Sequence, residues 1–179
     1  MNICLFGKRG AGKTTWIKKY INQSYCPCII IDTLNEYHNE AVYMPITNEI
    51  NFDKFKVRFI PETDVEFDII CSIFHYQRFN TPVNFIVSEI DFWSNSNYIP
   101  YYLLNCIRYS RHYNLNVICD VRNPIELNRK ISALADKFII FRITEPRYLD
   151  YFKGYDNDLP NRIKKLKKYE YIDYNLLTF

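Results

Sequence analysis

The sequence predicts a three-layer α/β sandwich on a mainly parallel central sheet, and three of its features point there. Short runs that are apolar at every position alternate along the chain with helical patterns, which is how strands covered on both faces read. A glycine-rich loop follows the first such run and opens a helix. A tail at 169–174, Tyr-Glu-Tyr-Ile-Asp-Tyr, alternates with period two, as an edge strand with one face in water does.

Taken in order, strands are expected at 3–6, 28–31, 85–87, 117–119 and 138–141. Helices are expected at 13–22, 64–76, 101–113 and 127–135. Pro100 suits a first helical turn, where its missing N–H loses no bond, and Asn128 is placed to cap the fourth helix. The stretch 36–56 is polar and irregular and carries no clear periodicity. Strand and helix alternating over a single domain, residues 1–179, give a doubly wound arrangement.

Hydrophobic residues at 48% and aromatics at 17% argue for a packed core rather than disorder. No run of about 18 apolar residues occurs, so no membrane-spanning helix is expected. The first six residues are too short for a signal-peptide core, and a cytoplasmic location is expected. Of the six cysteines, Cys26 and Cys28 lack the two-residue spacer of a zinc knuckle or redox motif, and no second Cys/His pair accompanies them. Reduced, mostly buried thiols are the expectation.

The segment Gly7-Lys8-Arg9-Gly10-Ala11-Gly12-Lys13-Thr14 is a complete Walker A loop. Such a loop needs backbone N–H groups converging on phosphate oxygens, with glycines to make the turns. It needs a helix whose N-terminus faces the phosphates, a lysine for the β- and γ-phosphates and a hydroxyl for Mg²⁺. Three of the four glycines in the chain are here. Residues 7–15, ending in Thr14 and Thr15, are therefore the candidate nucleotide site, with ATP and Mg²⁺ as cofactors. Lys13 takes the catalytic charge and Thr14 the metal.

A P-loop enzyme also needs acids at the end of a neighbouring strand, to order the metal shell and polarise water. The run Asn84-Phe85-Ile86-Val87-Ser88-Glu89-Ile90-Asp91 ends in two. Glu89 is the candidate water-activating base and Asp91 a candidate metal-site residue. Ser88 stands where an aspartate is usual. Asp32, ending the 29–31 run, is a further carboxylate aimed at the same sheet edge.

In that order these pieces resemble the FtsK–HerA superfamily, and within it small viral genome-packaging ATPases. Residues 7–15 resemble its phosphate loop, and Ile29-Ile30-Ile31-Asp32-Thr33-Leu34-Asn35-Glu36-Tyr37 resembles its second strand with the acidic-aromatic pair that follows. Ser110-Arg111-His112-Tyr113-Asn114-Leu115-Asn116-Val117-Ile118 is similar to its arginine-bearing helix end, and Val121-Arg122-Asn123-Pro124 to its Thr-Gln-Arg-Pro segment. The resemblance spans about residues 2–150. It implies a RecA-like (ASCE) P-loop fold and a homo-oligomeric ring, generally a hexamer, moving double-stranded DNA. It implies nucleotide between subunits, an arginine acting in trans (Arg111, with Arg108 as the alternative), and Arg122 at the γ-phosphate sensor position.

Net charge +3 selects no partner class. Arg162, Lys164, Lys165, Lys167 and Lys168 nevertheless crowd one segment. They are either a solvated helix face or a contact for a nucleic-acid backbone. The leading expectation is a DNA translocase that packages a viral genome. Capsid or procapsid proteins would be its partners, in the host cytoplasm or on the virion. At this length the membrane, linker and DNA-orienting domains of a cellular chromosome pump are not expected. The alternatives are a small nucleoside or nucleotide kinase, whose arginine-rich lid Arg142, Arg147 and Arg162 are too scattered to form, and a low-turnover nucleotide switch.

Overall fold

The computed structural model describes residues 1–45 and 56–176. Asn2–Phe6 forms β1, buried along its whole length. Its side chains divide by parity, Ile3 and Leu5 to one face and Cys4 and Phe6 to the other. β1 leads through the glycine-rich loop into α1 (Lys13–Gln23). There follow β2 (Cys28–Ile31), β3 (Val42–Tyr43), β4 (Lys56–Phe59), α2 (Asp64–Tyr76) and β5 (Val83–Val87). Then come α3 (Tyr101–Arg108), β6 (Leu115–Val121), α4 (Arg129–Ala133), β7 (Lys137–Phe141), α5 (Pro146–Lys153), α6 (Leu159–Lys165) and β8 (Tyr171–Asn175).

Among the described residues the sheet has eight strands in the order β3-β4-β2-β5-β6-β1-β7-β8. All neighbours are parallel except the edge pair β7–β8. The period-two tail is thus the edge strand that its alternation predicts, and it runs antiparallel to β7. Ile17 and Ile21 of α1 cover one face, against Ile3, Leu5, Ile30, Ile86, Ile118 and Ile139. The other face carries the remaining five helices. At its centre Phe6 meets Phe138 edge-on at 5.0 Å and Phe152 at 5.2 Å. Each such ring contributes roughly 1.5–3 kcal/mol by burial.

Several boundaries follow from local chemistry. α2 starts where a capping box puts it: Thr63 Oγ1 accepts from Glu66 N–H, and the Glu66 carboxylate accepts from Thr63 N–H. Asn128 caps α4, its side chain accepting from Lys130 N–H. α3 ends at Arg108, five residues short of the expected end. The chain turns through 109–113 and takes a left-handed conformation at Asn114 (φ 55°). It then enters β6, two residues earlier than its apolar run. β3, β4, α5 and α6 carried no strong signal, and 46–55 of the irregular stretch lie outside the described residues. All six cysteines are free and only Cys26 is not buried. Among the described residues no helix is long and apolar enough to cross a membrane.

β1 lies between β6 and β7, so chain order reverses across it. The crevice beyond the carboxyl ends of the strands at such a switch point is where open α/β sheets take ligands.

Candidate nucleotide-binding site

The loop from Gly7 to Gly12 fills that crevice. Gly12 sits at φ 120°, and a side chain there would also press on Phe141 and Tyr169 at 3.1 Å. Gly7 lies so close to β7 that an added Cβ would stand 2.8 Å from Phe141 Cβ. Lys13 opens α1 and is only 5% exposed. Its Nζ donates to Gly7 O at 2.7 Å and stands 3.7 Å from Asp120 Oδ2. Lys8 pairs with Glu145 at the loop's outer side, and Arg9 is exposed.

Thr14 Oγ1 donates to Glu36 Oε2 at 3.1 Å. Glu36 is held there by the turn that ends β2. Asp32 accepts from Glu36 N–H at 2.7 Å and Tyr37 N–H at 3.0 Å, and is paired with Arg58 of β4 at 3.0 Å. Asp32 is wholly buried. Its carboxylate is committed to the turn, and the acid it delivers to the phosphate loop is Glu36, a residue that the sequence pattern marked only through its acidic-aromatic pair.

β5 and β6 supply the rest. Glu89 takes a left-handed conformation (φ 55°, ψ 57°) directly after β5, a strained position for a side chain of this size. What holds it is Asp120 of β6, whose Oδ1 accepts from Glu89 N–H at 3.0 Å. The Glu89 carboxylate forms an ion pair with Arg122 Nε at 2.5 Å. Burial pushes the Asp120 carboxyl up to about 6, against the pull of Lys13. Asp91 sits in the 3-10 turn Ile90–Phe92, its carboxyl raised by burial and beside the backbone N–H of Arg122, with Oδ1 buried and unpartnered. Asp120, missed in the sequence, directly follows the apolar run expected at 117–119, and nothing along the chain says that this run pairs with β1 beside the phosphate loop.

A cavity of about 300 Å³ brings Lys13, Thr14, Glu36, Glu89 and Arg122 together with Arg9 and Tyr169. Asp91 is not among its lining residues. A second cavity of about 380 Å³ shares Gly12, Thr15 and Tyr169 with the first and runs on between Trp16, Phe141 and Tyr171. Phosphates at the loop would leave an attached base facing this aromatic trough. Among the described residues no three acids, cysteines or histidines form a ready-made metal cluster.

Arg111 is elsewhere. It is 73% exposed and pairs at 3.1 Å with Asp136, whose Oδ2 accepts from Asn2 N–H. That is the amino end of β1, and β1 is five residues long, so about 16 Å of strand separates it from the phosphate loop. Arg108 is also exposed, in the last turn of α3. In the basic segment Arg162 pairs with Asp156 at 3.7 Å, while Lys164, Lys165 and Lys168 are exposed. Lys168 Nζ lies 4.9 Å from the ring of Tyr169.

No protein-family model matches the sequence, and no curated protein is significantly similar to it. Solved structures do match. The genome-packaging NTPase B204 from Sulfolobus turreted icosahedral virus 2, in complex with ATP-gammaS, superposes with a TM-score of 0.84 at 18% identity, over 98% of this chain and 92% of that one. This chain has the fold of the P-loop ATPases. B204, the DNA-packaging ATPase from Sulfolobus turreted icosahedral virus, shares that ATPase fold at a TM-score of 0.78 and 17% identity, over 97% and 91% of the two chains. VirB4 of Thermoanaerobacter pseudethanolicus shares it at 0.69 and 11% identity, over 97% and 86%.

Proposed function

We propose that residues 1–179 form one ATP-hydrolysing motor domain that moves double-stranded DNA, packaging a viral genome into a preformed capsid. The observation that carries this is one crevice holding the phosphate loop, a withdrawn lysine, and Glu89 paired with Arg122. Its fold matches the genome-packaging NTPase B204 over nearly the whole of both chains. The ring, hexameric in the resembled family, its capsid partners, and its place in host cytoplasm or virion belong to the same proposal.

The residues have distinct tasks in it. Loop N–H groups and Lys13 hold the β- and γ-phosphates. Thr14 fits a magnesium ion, because its hydroxyl proton is given to Glu36 and its lone pairs are left for a cation. A magnesium ion held there would supply positive charge against the transferred phosphoryl group. Glu89 orients and deprotonates the attacking water once its pair with Arg122 opens. Arg122 then stands beside the γ-phosphate. Arg111 lies too far from its own loop and serves a neighbour's nucleotide.

The closed Glu89–Arg122 pair favours a second reading, a nucleotide switch of low turnover whose base stays occupied. ATP hydrolysis measured with and without duplex DNA separates the two. A translocase is stimulated by DNA, a switch is not, and turnover that requires a small acceptor identifies a kinase. Lys13→Ala is expected to fold normally and lose ATP binding. Glu89→Gln is expected to bind ATP while hydrolysis falls about a hundredfold or more. Normal turnover in Lys13→Ala sinks the whole reading.

A further inference from the structure

A serine at 88 leaves the strand end without the carboxylate that orders a magnesium shell, yet the site is not short of one. Side-chain parity puts Ser88 on the α1 face of the sheet, with Ile86. β5 pairs with β6 in a register that sets Val87 opposite Cys119, so one residue further on Ser88 lies opposite Asp120. Asp120 shares the α1 face with Ile118, and on its other side pairs with Leu5 of β1. It therefore occupies the strip between the serine and the strand that carries the phosphate loop, beneath Lys13.

Its surroundings keep it there. Asp120 is 1% exposed. One oxygen is fixed by Glu89 N–H and the other faces Lys13 Nζ at 3.7 Å, too long for a good hydrogen bond. Tyr37, wholly buried, has its hydroxyl near Ser88 and within electrostatic reach of Asp120, without completing a hydrogen bond of ordinary geometry. A buried hydroxyl without a partner, and a buried carboxylate whose second oxygen has only Lys13 at 3.7 Å, leave room for further partners behind the phosphate loop. Asp32, the other carboxylate on this face, is spent on Arg58 and two backbone N–H groups.

We propose that Asp120 has taken over the metal-shell role from position 88. Its free oxygen accepts from water on a magnesium ion held by Thr14 and the nucleotide, with Tyr37 and Ser88 completing the outer layer. Asp120 is a positioning residue in this scheme and does not touch the reacting phosphoryl group. The assignment rests on the ATP-site reading above.

The test is binding of the methylene-bridged analogue AMPPCP, with Mg²⁺ and with EDTA, alongside a thermal melt of each variant. Asp120→Asn is expected to bind the analogue normally in EDTA and to lose about tenfold to a hundredfold of the gain that Mg²⁺ confers. Adding Ser88→Asp to it should restore that gain, because the charge returns to the neighbouring position. A loss due only to disturbed packing would not be rescued by a second buried change. Ser88→Asp in the wild-type background reads the same question without touching Asp120. It should give no gain in Mg²⁺-dependent affinity, and a gain would show that the role had stood vacant and overturn the assignment. Asp120→Asn with an unchanged Mg²⁺ response would overturn it too. If the wild-type chain binds no analogue under either condition, the ATP-site reading fails and the assignment with it.

Discussion

Glu36 reaches Thr14 only because a buried ion pair stands behind it. Asp32 and Arg58 come from strands separated by the 36–56 stretch, and their side chains are 0% and 10% exposed. Removing Arg58 leaves Asp32 charged, buried and unpaired. Arg58→Ala should destabilise the chain by about 3–5 kcal/mol in denaturant unfolding. It should also weaken ATP binding, since the turn presenting Glu36 loses its anchor. Unaltered unfolding would mean that Asp32 is satisfied by its two N–H donors alone. A second residue-scale effect is set by pH. Burial pushes the Tyr20 hydroxyl up to about 12 from 10, and it donates to Asn84 Oδ1 at 3.1 Å. Between those values the folded chain keeps a proton that the unfolded chain has released. Stability therefore falls as pH rises through that window, and Tyr20→Phe should flatten the fall in urea midpoints measured there.

Among the elements, the turn from α6 into β8 joins two features that the sequence kept apart. It carries Lys167 and Lys168, just after Lys164 and Lys165 at the end of α6, and it places Tyr169, at φ 70°, against Gly12 and in both cavities. A base lying in the aromatic trough gains stacking energy of about 1–3 kcal/mol. Tyr169→Ala should thus weaken ATP about tenfold while leaving inorganic triphosphate binding unchanged. Equal losses for both would place Tyr169 in loop packing instead. Lys164 and Lys165 end α6, and Lys168 lies in the turn itself. If they meet phosphates of a duplex, neutralising all three should flatten the dependence of DNA affinity on salt. An unchanged slope returns them to solvated surface.

For the whole molecule, the decisive geometry is that Arg111 and the phosphate loop lie at opposite ends of β1. No rotamer spans about 16 Å of strand, so any role for Arg111 in phosphoryl transfer is in trans. An arginine fork stabilises the transition state more than bound ATP. Arg111→Ala should therefore bind ATP nearly normally and turn it over poorly. Mixing Arg111→Ala with Lys13→Ala should recover activity where an intact loop meets an intact arginine. Mixtures that stay inactive, with Arg108 or Arg142 variants behaving alike, would sink the shared site. Its pair with Asp136 is exposed at the arginine end, so opening it for a neighbour costs about 1 kcal/mol or less.

What the sequence determined by itself was local in origin. The apolar runs placed the five central parallel strands, because a strand buried on both faces needs no partner to be recognised. The glycines placed the phosphate loop, since Gly12 holds a backbone angle that other residues strain to reach. The capping pair Thr63 and Glu66 sets the helix start at 64, and period two set the edge strand. The tertiary structure alone decided the rest. β4 is obscured by Lys56 and Arg58, and Arg58 is buried only because Asp32, 26 positions earlier, neutralises it. Asp120 joins the site through register, as strands distant in sequence lie side by side. Asp32 and Asp91 looked like site acids in sequence, but the fold spends one on a turn and sets the other beside the backbone N–H of Arg122, in the 3-10 turn after β5. A carboxylate's chemistry is set by what stands within about 4 Å of it, and that is a property of strand order and pairing rather than of spacing along the chain.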